Sequence, residues 1–288
     1  MFAITGITGK VGGAMARCLL AAGRSVRAVV RDAGKARAWA DRGCEVAVAD
    51  MTDAAALAAA FRGAEGVFIL LPPQFDPSPG FPEARAVIAA VKAALAIARP
   101  ARVVCLSTVG AQATQPNLLS QLGLMEQTLR ALELPVAFLR AAWFMENFAW
   151  DVAAARDTGV IASFLQPVDR PVPMIATADV GRVAAELIQS DWRGARSVEL
   201  EAARRIAPRE VAATFGRILG RPVRVEAVPR ESWGSLFESQ GMKDPIPRIQ
   251  MLDGFNEGWI EFEGGEAGSR KGEVSLEAVL RGLLQARA

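Results

Sequence analysis

Three glycines, at positions 6, 9 and 12 of the run Thr5-Gly6-Ile7-Thr8-Gly9-Lys10-Val11-Gly12, constrain this chain more than any other feature. The run stands between Phe2-Ala3-Ile4-Thr5, which reads as a buried strand, and an amphipathic stretch from Val11 to Ala22, which reads as a helix. In that setting each glycine has a physical task. Gly6 permits the sharp turn, Gly9 lets the backbone come close to a pyrophosphate, and Gly12 lets the helix lie tightly on the strand. The helix N-terminus then offers unpaired N–H groups and the positive end of its dipole to the phosphates. Thr8, Lys10 and Val11 complete the expected cofactor-binding loop, Thr8 and Lys10 with side-chain contacts. The same glycines also suit a tight strand-to-helix turn that binds nothing.

The strand–helix alternation continues. Strand signals are read at 26–30, 45–49, 67–71, 103–107 and 136–141, with helices at 35–42, up to Phe61 behind a Thr52 or Asp53 cap, at 81–98 and at 118–132. Val67-Phe68-Ile69-Leu70-Leu71 is apolar throughout, as a strand covered on both faces requires. The alternation predicts an α/β fold, a doubly wound parallel sheet of Rossmann type with a smaller C-terminal α/β domain. The boundary is expected near residue 150, giving 1–150 as the dinucleotide-binding domain and 151–288 as the substrate-binding one. A helix over 178–189 is expected to pack back on the first sheet. Short strands at 198–200 and 223–228 and a helix opening at Pro208 are placed in the second unit.

Composition narrows the function. Lys plus Arg number 33 and Asp plus Glu 31, so a net charge of +2 makes no case for nucleic acid or a membrane surface as partner. The chain has no His, which removes the commonest metal ligand, and no metal site is expected. Cys18, Cys44 and Cys105 show no pairing pattern and read as small buried hydrophobes in a reducing compartment. The glycines interrupt what would otherwise be a signal-peptide core, no run is apolar enough to span a bilayer, and a cytoplasmic location is expected. A homodimer is left open.

The residue after the second strand selects the cofactor: an acid holds the ribose 2′-OH of NAD(H), an arginine the 2′-phosphate of NADP(H). The sequence Val29-Val30-Arg31-Asp32 offers both, with Lys35 a turn later. Arg31 comes first and an Arg–phosphate pair is bidentate, so NADP(H) is favoured over NAD(H). Asp50 ends the third strand and either meets the adenine or simply starts the next helix.

These residues carry a resemblance. The glycine run, Val30-Arg31-Asp32, Leu70-Leu71-Pro72-Pro73, Ser107-Thr108-Val109-Gly110 and Leu139-Arg140-Ala141-Ala142-Trp143-Phe144-Met145-Glu146-Asn147 together resemble the NmrA-like group of atypical short-chain dehydrogenases, to about residue 230. That group includes NADPH:quinone oxidoreductases, triphenylmethane dye reductases and redox-sensing regulators. The resemblance implies NADP(H), with Arg31 and Lys35 at its 2′-phosphate and Leu71, Pro72 and Pro73 in the loop beside it. It also implies Ser107 and Thr108 near the nicotinamide and substrate in the cleft above.

The departure is as informative. Short-chain dehydrogenases donate a proton from a Tyr-x-x-x-Lys pair, and this chain contains no Tyr. A general acid contributes roughly 10²–10⁴-fold, so its loss matters least for an acceptor whose product anion is delocalised. A quinone or similar conjugated small molecule is therefore the expected substrate of an NAD(P)H-dependent reductase. Candidate catalytic donors are Ser107, Thr108 and Asn147, each equally readable as a local cap. Candidate substrate contacts are Phe75, in the proline-rich loop 72–82, with Gln112, Trp143 and Trp233; Trp143 and Trp233 also suit core packing. A non-catalytic NADP(H)-sensing regulator that binds a partner protein is the alternative.

Overall fold

The computed structural model describes residues 1–286. Strand and helix alternate from the N-terminus as β1 (Phe2–Thr5), α1 (Lys10–Ala21), β2 (Val26–Val30), α2 (Arg37–Ala40), β3 (Glu45–Val48), α3 (Ala54–Phe61), β4 (Gly66–Ile69), α4 (Pro82–Ala98), β5 (Arg102–Thr108), α5 (Ser120–Arg130) and β6 (Val136–Ala141). Asp53 caps α3, its carboxylate accepting the Ala55 and Ala56 N–H groups. The helix expected over 35–42 is split into a 3₁₀ turn, Ala33–Ala36, and α2, because the Asp32 carboxylate accepts the Gly34 N–H and tightens the first turn.

The later part runs β7 (Trp143–Phe144), a 3₁₀ stretch Met145–Trp150, α6 (Val152–Asp157), β8 (Val160–Ser163), β9 (Met174–Ile175), α7 (Thr177–Gln189), β10 (Ala195–Glu201), α8 (Pro208–Leu219), β11 (Arg224–Ala227), α9 (Trp233–Ser239), α10 (Ile246–Glu257), α11 (Gly265–Gly268), β12 (Arg270–Lys271) and α12 (Leu276–Ala286).

Eight strands form one parallel sheet in the order β12-β10-β6-β5-β4-β1-β2-β3. One apolar cluster gathers Phe2, Ile4 and Phe68 with Met15 and Leu19 of α1 and Val180 and Ile188 of α7. A second gathers Val67, Ile69 and Val103 with Leu57 and Phe61 of α3, Ile88 and Leu95 of α4, and Met125 and Leu129 of α5. Each fully buried Phe, Leu or Ile contributes about 1.5–3 kcal/mol.

The expected boundary at 150 does not separate two sheets. β10 pairs with β6 in continuous parallel register, Ala195↔Val136 to Leu200↔Ala141, and β12 extends it further. Hydrophobic pattern reports how an element is covered, not which neighbour it pairs with, so the strand expected at 198–200 read as part of a second unit. Among the described residues only the pairs β8 with β11 and β7 with β9 stand outside the main sheet. Residues 287–288, the end of the expected second domain, lie outside the described residues. The chain runs outward from β1 to β2 and β3, then returns to β4 on the other side of β1. In doubly wound sheets such a reversal is where a crevice opens, beyond the C-terminal ends of the strands.

Candidate functional site

The crevice begins at the glycine turn. Gly6 has φ +64°, and its carbonyl accepts the Gly9 N–H at 2.9 Å. A Cβ on Gly12 would stand 2.4 Å from the Gly6 carbonyl oxygen, a distance no side chain tolerates. Helix α1 thus lies on its own turn, and no side chain caps it. Its first N–H groups face the crevice beside the exposed Thr8, Gly9 and Lys10, while Val11 is buried and presents backbone alone. Thr5 fixes the turn to the next strand. Its buried hydroxyl donates to Phe68 O at 3.1 Å and accepts from Leu70 N at 2.8 Å, setting the Leu70 side chain against Gly6.

Arg31 follows β2 directly. The register Val30↔Val48 and the Ala49 N to Val30 O bond bring it beside Asp50. Hydrogen bonds from the Thr52 hydroxyl (2.6 Å) and N–H (2.9 Å) hold the Asp50 carboxyl below the usual carboxylate range, and the Arg31 charge adds to the effect. Asp50 therefore shapes a turn. The exposed side chains of Arg31 and Lys35 make no hydrogen bond among the described residues.

The other end of the crevice is floored by the ends of β4, β5 and β6. Leu71 and Pro72 are half-buried there and Pro73 exposed. The buried Ser107 Oγ donates to Glu126 Oε1 at 2.6 Å, and the same carboxylate receives Arg140 Nε at 3.0 Å and Nη2 at 2.8 Å. Burial opposes the Arg140 charge, but the hydrogen bonds and charges of Glu126 and Glu263 raise its pKa overall. The expectation of Ser107 as a donor to substrate is corrected here: its single O–H already serves Glu126, leaving its oxygen as an acceptor. The half-buried Thr108 hydroxyl makes no hydrogen bond among the described residues, nor does the exposed Asn147 side chain. The Trp143 indole N–H is buried without a partner.

Segment 243–263 roofs these strand ends. Leu118 N donates to Pro247 O at 2.8 Å, Phe255 of α10 meets Trp143 edge-on at 5.2 Å, and Ile260 lies against Gly110. Gln112 Nε2 donates to Glu261 O at 2.7 Å, so this expected substrate residue ties the roof. Trp233, also expected to touch substrate, is instead fully buried; its indole donates to Val228 O and its ring packs on Phe164. Apolar residues at helical spacing did not distinguish a cleft wall from core. Phe75 is 59% exposed in the loop after β4, and the neighbouring Asp76, which sequence reasoning missed, bonds to the roof. A separate hollow of about 330 Å³ lies along the β10–β12 edge, lined by Glu199, Glu263 and Arg270, far across the sheet from the glycine turn. Among the described residues no helix is long and apolar enough to cross a membrane.

Fold and crevice together define a Rossmann-type α/β protein with an open glycine turn at the switch point of its sheet. The chain belongs to the NmrA-like family, whose model matches residues 1–259. It is 27% identical over 248 residues to the NAD(P)H azoreductase of Xenophilus azovorans, covering 85% of this chain and 83% of that protein. It is equally 27% identical to quinone oxidoreductase 2 of Escherichia coli, over 85% of this chain and 84% of that one. The solved structure of the latter with NADPH superposes with a TM-score of 0.81 over all of both chains at 21% identity. The triphenylmethane reductase of Citrobacter sp. with NADP(H) also gives 0.81, over 98% of this chain and 99% of that one, at 21% identity.

Proposed function

We propose that the protein is an NADPH-dependent oxidoreductase that passes hydride to a quinone or similarly flat, conjugated acceptor. The observation that carries this reading is the cradle itself: α1 is uncapped, its Gly12 admits no side chain, and the cationic side chains of Arg31 and Lys35, without hydrogen bonds among the described residues, stand just past the end of β2. That cradle fits a dinucleotide diphosphate held by the α1 N–H groups, with Thr8 and Lys10 beside it, and a 2′-phosphate met by Arg31 and Lys35. Leu71, Pro72 and Pro73 would flank the nicotinamide half. The relatives named as azo, quinone and dye reductases support the same class. When bound, the nicotinamide supplies the hydride.

The chain's own residues orient the acceptor and meet the charge that develops on it. With neither Tyr nor His in the chain, no Tyr/Lys relay operates. The Thr108 hydroxyl at the floor and the exposed Asn147 side chain on the adjoining segment are donors without a hydrogen-bond partner among the described residues. Hydrogen bonds from them would stabilise a delocalised oxyanion until water protonates it. An unactivated ketone, which needs its proton during transfer, is a poor match. A cytoplasmic location, with its NADPH supply, suits this activity.

Purified protein should oxidise NADPH, followed at 340 nm, when given a panel of quinones and azo or triphenylmethane dyes; no turnover with any acceptor would defeat the proposal. Arg31→Ala should weaken NADPH binding by about tenfold or more and leave NADH binding nearly unchanged. Equal loss for both nucleotides would remove Arg31 from the 2′-phosphate site. The missing proton donor favours one second reading, an NADP(H) sensor. It predicts tight nucleotide binding without turnover and a partner protein captured in only one redox state.

A further inference from the structure

The loop that follows β4 is joined to the roof by a single carboxylate. Asp76 Oδ2 accepts the Lys243 N–H and Oδ1 accepts the Asp244 N–H, both at 3.0 Å, across 167 and 168 residues of sequence. These bonds from Asp244 and Lys243 hold the Asp76 carboxyl below the usual carboxylate range, so the tie is made in its charged form at neutral pH. Two further bonds continue the seam. Asp244 Oδ1 accepts the Ile246 N–H at the start of α10, and Gln121 Nε2 of α5 donates to Gln74 O, one residue before Phe75. Around the tie stand two large exposed apolar side chains, Phe75 (59%) and Ile246 (53%). One belongs to the loop and the other to the roof.

Resting on the reductase reading above, we propose that Asp76 is a positioning residue for the acceptor. By fixing the loop after β4 to the start of α10, it sets the height of the cleft and holds Phe75 and Ile246 as an apolar lip where a flat acceptor slides in. The loop leaves the sheet beside the glycine turn, and α10 ends on Trp143 through Phe255. The tie therefore joins the cofactor side of the cleft to its roof. Other bonds anchor the rest of the roof: Leu118 to Pro247 and Gln112 to Glu261 from the segment after β5, Arg170 to the Phe255 and Asn256 carbonyls, and Arg205 to Glu261; none of these is made by this loop. Loss of the carboxylate unties the loop from the turn 243–245 and loosens both, while the Gln121 bond to Gln74 O and the diphosphate cradle remain. The effect falls on acceptor binding rather than on the nucleotide.

The test compares wild type, Asp76→Ala and Asp76→Asn with 1,4-naphthoquinone as acceptor. Asp76→Ala should raise the KM for the quinone about tenfold, with the Kd for NADPH changed less than twofold by calorimetry. Hydrogen exchange should quicken at the Lys243 and Asp244 amides. Asp76→Asn, keeping one acceptor oxygen for two N–H groups, should fall between the two on all acceptor-side readouts. Unchanged exchange at 243–244, or faster exchange with an unchanged quinone KM, overturns the positioning role and leaves the reductase reading standing. If wild type binds NADPH but turns over no acceptor, the reductase reading falls and this role falls with it. An equal weakening of NADPH and quinone would mean that the loop serves the cofactor instead.

Discussion

Thr5 is a polar residue at the end of an otherwise apolar strand, with 1% of its surface exposed. A hydroxyl in that position is costly unless both its functions are used. Here it donates to Phe68 O and accepts from Leu70 N, joining β1 to β4 beside the glycine turn. Thr5→Val keeps the shape but strands both backbone groups. It should cost about 1–3 kcal/mol, measured as a lower urea midpoint with an unchanged m-value, and a loss under 0.5 kcal/mol would contradict the bridge. Sequence alone flagged Gly6, Gly9 and Gly12, because the demand they meet is made by their immediate neighbours. It did not flag Thr5, because the strand that needs the hydroxyl lies more than 60 residues away.

Among the elements, α5 and β6 exchange a buried ion pair, Glu126 with Arg140, both largely shielded from water. No local pattern marks Glu126 as half of a pair; its partner came from the parallel sheet. The long periodic helices and the apolar strands were legible to within a few residues. The short strands β7, β9 and β12 were not, since two residues show no period at all. The junction of the 3₁₀ stretch with α6 carries its own prediction. Burial pushes the Asp151 carboxyl up to about 7. Its folded state therefore keeps a proton that the unfolded chain releases near the ordinary aspartate value, and this contribution to stability is lost as pH rises from about 4 to about 7. Asp151→Asn should flatten the pH dependence over that window and stabilise the protein at pH 8 by about 2–4 kcal/mol. Denaturant melts at pH 4.5, 6 and 8 measure this, and parallel curves for mutant and wild type would contradict it.

For the whole molecule, the crevice is built by parts distant in sequence: the turn at 6–12, the ends of β2 and β4 to β6, and the roof from 243 to 263. A ligand that touches all of them binds only the folded chain. NADPH at about 100 times its Kd should therefore add about 2.7 kcal/mol and raise Tm by about 4–6 °C. NADH at the same concentration should give less, and no shift with either in a thermal melt would deny the cradle its nucleotide. What the sequence determined by itself was the glycine turn and the parallel α/β layering, because steric demand and hydrophobic period are properties of neighbouring residues. What only the tertiary structure decided was where hydroxyls, carboxylates and indoles point. Ser107 turned to Glu126, Trp233 went into the core, β10 joined the first sheet, and Asp76 reached the roof. Each of those outcomes depends on a partner brought from far along the chain by packing, and no local pattern records it.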